Sequence, residues 1–187
     1  MKYSSENHNW DLSIMASSRL VTLGRSLDKK NYSFSAYTGG MVLAVTGLES
    51  FLNSMAYSVA RNDSEFNYDE FEESTIEEKL DYFLAKFNVS IKKGKRPYQT
   101  VKKAIKWRNS LAHSKPTFIE ETEITLGDDI RKIPLQHIAT SNKYPPYENL
   151  VSEKNADRFN RDIIQIITEI TKVSGINPRT QCTYNHK

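Results

Sequence analysis

The segment KKAIKWRNSLAHSKP, residues 102–116, holds Arg108 and His113 four intervening residues apart, with Asn109 directly after the arginine. A guanidinium presents a planar fork of N–H donors that fits phosphate oxygens. An imidazole gives or takes a proton near neutral pH. Together they are suited to chemistry at a phosphodiester, provided that one element aims both at the same place. A helix does this. Successive side chains turn by about 100°, so Val101, Ala104, Ile105, Leu111 and Ala112 form an apolar stripe with Trp107 at its edge. Arg108 falls near the centre of that stripe. Asn109 and His113 are one turn apart on the neighbouring face, alongside Lys102 and Lys106.

A cation phased into an apolar stripe needs a partner, because an unpaired buried charge is costly. Two readings of the residues stay open. Arg108 forms a structural ion pair with an acid on another helix, for which Glu49 in GLESFLN is the candidate, or its face opens into a cleft and meets a phosphate. His113 closes the helix. There the negative end of the backbone dipole favours a protonated ring, and the nearby cations Arg108 and Lys115 oppose it.

The elements that must position these groups are helical. Residues 10–27 read as a first helix. In 37–61, Met41, Val45, Leu48, Leu52, Met55 and Val59 recur at three- and four-residue spacing. An acidic stretch, 62–81, follows and begins as a loop. Ser74 or Thr75 then caps IEEKLDYFLAKF, with Glu77 or Glu78 placed for a capping box. Pro97 suits the first turn of the helix that ends near His113. Residues 117–150 alternate like a β-hairpin, although Pro134 weakens its second strand. Ser152 caps a last helix that Gly175 ends, and 176–187 reads as a loose tail. The expected fold is all-α: an up-and-down bundle of four to five helices in one domain, core about 10–175, with a small β-like excursion before the last helix.

Composition narrows the function classes. The 187 residues are 26% charged and 38% hydrophobic, with a net charge of +3. The charge is segregated: 62–81 is mostly acidic, while 91–115 carries nine lysines and arginines and no acid. Such a basic block can hold a polyanion, though a charge run is also an ordinary solvated helix face. Four scattered histidines and one cysteine, Cys182, offer no metal site, and no glycine-rich phosphate loop is present, so no metal or cofactor is expected. FNYDEFEE has rings that could stack bases, but its acids would repel nucleic acid. No run of apolar residues approaches a membrane span, and the opening MKYSSENHNWDLS lacks a signal-peptide core. A cytoplasmic protein without a membrane partner is expected.

WRNSLAHS resembles the signature of HEPN-domain proteins, helical bundles that often act as ribonucleases. Their pattern is an Arg, four to six residues, then a His, frequently with a polar residue after the Arg. Leu48-Glu49 on an earlier long helix is similar to a pair that many such domains carry. Arg131–His137 and Arg179–His186 also fit the loose spacing, but neither lies on an expected helix or has the following Asn. The resemblance implies metal-independent RNA cleavage by a homodimer, in which two Arg/His sets face one another. It makes His113 the general acid or base at the ribose 2′-hydroxyl and leaving oxygen, Arg108 the group that stabilises phosphate charge, and Asn109 an orienting residue. Lys102, Lys106 and Lys115 would hold RNA, and Glu49 would support the site. It also implies a toxin or phage-defence effector, with an antitoxin or regulatory protein as a further partner. In members neutralised by nucleotidyl transfer, a tyrosine commonly stands two residues after the His; Lys115 occupies that position here.

Overall fold

A computed structural model describes residues 2–6, 8–113, 148–178 and 181–185. Among them the fold is an all-α bundle. Its helices are α1 (Trp10–Ser26), α2 (Lys30–Ala60), α3 (Tyr68–Glu73), α4 (Ile76–Lys86), α5 (Tyr98–Ala112) and α6 (Glu153–Ser174), with a short 3₁₀ turn at Glu148–Leu150. The expected hairpin within 117–150 otherwise lies outside the described residues.

The long helix α2 is the axis of the core. Its apolar stripe is fully used: Met41, Val45, Leu48, Leu52 and Met55 are completely buried, and Val59 nearly so. It begins seven residues before the expected start at 37, with no side-chain cap at Lys29. Here α1 folds back along it. The two helices lie close because glycines face the contact. A Cβ on Gly47 would come within 2.7 Å of Ile14 Cδ1, and one on Gly40 within 3.2 Å of the Ser17 carbonyl. The same seam carries a buried polar relay: Ser17 Oγ donates to the Gly40 carbonyl at 2.7 Å, and Asn160 Nδ2 on α6 donates to Ser17 Oγ at 2.7 Å. Three helices are thereby fixed in register with every partner satisfied, as a buried network requires.

The stretch read as a loop before α4 contains α3. Asn67 Oδ1 accepts from the Glu70 N–H and starts that helix, and buried Phe71 holds it against Phe66, Tyr82 and Phe83, with ring centroids 5.2–5.3 Å from its own. Polar composition hid the element, since only one of its six residues is buried. Thr75 and Glu78 form the capping box of α4. Beneath α3 lies Lys79, 3% exposed. Its ammonium donates to Asn53 Oδ1 at 3.0 Å and to the Glu72 carbonyl at 2.7 Å. Lys79→Met keeps the stem but strands both acceptors, so it is expected to cost about 2 kcal/mol, read as a lower midpoint in urea unfolding.

On α6, Ser152 accepts from the Asn155 N–H, and Gly175 ends the helix at φ 69°, the left-handed conformation that glycine adopts without strain. The segment after it is not loose throughout, as its composition indicated. Trp10 Nε1 donates to the Pro178 carbonyl, and β2 (Gln181–Asn185) pairs antiparallel with β1 (Lys2–Glu6). Backbone pairing supplies what a polar tail cannot gain from burial. No described helix is long and apolar enough to cross a membrane.

Candidate functional site

The site is built on α5, which lies between α4 and α6. Its buried residues are Tyr98, Thr100, Val101, Ala104, Ile105 and Trp107. Trp107, phased at the edge of the stripe, is buried and meets Phe159 of α6 edge-on, with centroids 6.2 Å apart. Burial fades in the last turn. Leu111 is half-buried, Ala112 is exposed, and the helix closes where the His113 N–H donates to the Asn109 carbonyl at 3.0 Å. The apolar stripe read from the sequence therefore overstates how far α5 reaches into the core.

Arg108 sits where burial gives way to exposure. Its Nη2 donates to Glu49 Oε2 on α2 at 2.6 Å. The arginine side chain is 22% exposed and the glutamate 37%, so the pair borders solvent. Nε of Arg108 is buried and has no partner among the described residues. Glu49 holds the guanidinium by one terminal nitrogen. Further along the helix, Asn109 and His113 are both exposed. A cation and an imidazole thus leave the same end of the same helix.

Of the candidate RNA-binding lysines, Lys106 is exposed on α5, whereas Lys102 is paired with Glu77 of α4. Lys115 lies outside the described residues. The seam between α4 and α5 is consistently ionic: Tyr98 Oη donates to Asp81 at 2.7 Å, and Lys93 pairs with the other oxygen of Asp81 at 2.8 Å. Burial and the hydrogen-bonded Asp81 carboxylate push the Tyr98 phenol well above its usual range. At the other flank, Arg96 forms a two-pronged contact with Asp162 of α6 at 2.6 and 2.8 Å. Burial alone would raise Asp162, but hydrogen bonds from Arg96 and Thr100 and the positive charge of Arg96 and Arg158 hold it below the ordinary carboxylate range.

The sequence reading passed over two features. Lys103 is exposed on α5 beside Lys106, and helical phasing alone could have placed it there. Arg96–Asp162 joins residues 66 positions apart, and no local pattern announces such a pair. Among the described residues, no group of three or more His, Cys, Asp or Glu could hold a metal ion. No family model, no curated protein and no solved structure matches this chain.

Proposed function

We propose that this protein is a metal-independent endoribonuclease acting as a homodimer, with Arg108, Asn109 and His113 at its site. The observation that carries the reading is the placement of Arg108: anchored by Glu49 yet bordering solvent, five residues before an exposed His113. In this reading His113 moves the proton at the ribose 2′-hydroxyl or the leaving oxygen. Arg108 stabilises charge building on the scissile phosphate. Asn109 orients the phosphate by hydrogen bonding, and Glu49 aims the guanidinium. Attack by a 2′-hydroxyl restricts the substrate to RNA.

The 2.6 Å contact with Glu49 favours a second reading as well, in which α5 and α2 are clamped by a structural ion pair and the bundle serves binding or assembly. The readings part when wild type, Arg108→Ala and Glu49→Gln are incubated in EDTA with RNA and with DNA of the same sequence. The nuclease reading requires cleavage of RNA alone, reduced about 10²–10³-fold by Arg108→Ala. Intact RNA with wild-type enzyme, together with a fall in melting temperature for Arg108→Ala, would leave the ion pair as a clamp only.

A further inference from the structure

The basic block looks uniform in sequence, but the structure divides it. Lys93 is held by Asp81, Arg96 by Asp162 and Lys102 by Glu77. Lys103 and Lys106 are exposed and have no carboxylate partner among the described residues. Both lie on the outer face of α5. At about 100° per residue, Lys103, Lys106, Ser110 and His113 fall within about 80° of one another. Lys106 and His113, seven residues apart, are almost in line along the helix axis. The rise of the helix puts them about 10 Å apart, and Lys103 about 15 Å from His113.

We infer that single-stranded RNA runs along this outer ridge of α5, its phosphates held by Lys103 and Lys106, and that Lys102 takes no part. The inference rests on the ribonuclease reading and says how that site holds its substrate. The need for a ridge is electrostatic. His113 stands at the negative end of the α5 dipole, which repels a phosphate. Arg108, already partly neutralised by Glu49, lies about 140° around the helix from His113 and compensates only in part. Cations farther back along the helix flank lie away from that end and hold the backbone without opposing it. Lys102 is poorly suited to the task despite its phase, because Glu77 already neutralises its charge in part.

Each phosphate contact on a single strand contributes about 0.7 to the slope of log affinity against log salt. The test measures binding of a labelled single-stranded oligoribonucleotide to His113→Ala protein, which removes the proposed acid-base group, across a salt series. Adding Lys103→Gln and Lys106→Gln is expected to weaken binding about tenfold at low salt and to reduce the slope by about 1.4. Adding Lys102→Gln is expected to change neither. Wild-type protein that cleaves RNA while the two-lysine variant binds with an unchanged slope, or while Lys102→Gln weakens binding equally, overturns the ridge and leaves the nuclease reading standing. Wild-type protein that neither binds nor cleaves RNA overturns both.

Discussion

His113→Ala is expected to lower the rate of RNA cleavage by about 10²–10⁴-fold, the range for removal of one acid-base group, with little change in melting temperature. The structural argument for the second half is direct. The His113 side chain is exposed, and what it gives to the fold is its backbone: the N–H that closes α5 on the Asn109 carbonyl. Alanine keeps that bond. A loss of cleavage at constant stability therefore isolates the imidazole as chemistry. Arg108→Ala cannot give so clean an answer, because it also strips Glu49 of its cation and alters the contact between α2 and α5. The two variants are informative as a pair: rate without stability for the histidine, rate with some stability for the arginine. If His113→Ala cleaves as wild type does, the acid-base assignment fails whatever Arg108 shows.

The second large effect lies away from the site. Arg96→Ala leaves Asp162, 3% exposed, without its two-pronged partner. Breaking a fully buried pair in this way costs roughly 3–5 kcal/mol. Arg96 is itself 56% exposed, so water enters where it lay, and about 2 kcal/mol is the better expectation. For a domain of this size that is a fall of about 5 °C in melting temperature. The pair also sets an acid limit. Asp162 is held below its ordinary range, so in acid the folded state binds fewer protons at this group than the unfolded chain does. Its stabilisation is complete above the ordinary carboxylate range and is lost as pH falls through the lowered folded value. Arg96→Ala should therefore flatten the acid limb of a stability-pH curve as well as lower its plateau. An unchanged limb would mean that Asp162 is solvated by groups other than Arg96.

What could be read in advance follows from range along the chain. The stripe on α2, the capping box of Thr75 and Glu78, and the stops at His113 and Gly175 depend on residues three to seven apart, and spacing reveals them. The start of α2 did not, because KNYSFSA carries no cap and buries only Ala36, which makes no period. Short α3 escaped for a related reason: one buried phenylalanine among acids makes no period. At the site, Glu49 could be nominated as the partner of Arg108 from charge and phase. The diversion of Lys102 to Glu77 could not, since it depends on how α4 crosses α5. Charge counts say how many cations a segment holds; only packing says which of them are already engaged.

The lysine beneath α3 has a use beyond stability. Amine-reactive reagents modify side-chain amines that reach water, and Lys79 is buried with its nitrogen held by Asn53 and the Glu72 carbonyl. Its modification rate, set against that of surface lysines in the same molecule, would measure how often the packing over this side chain opens.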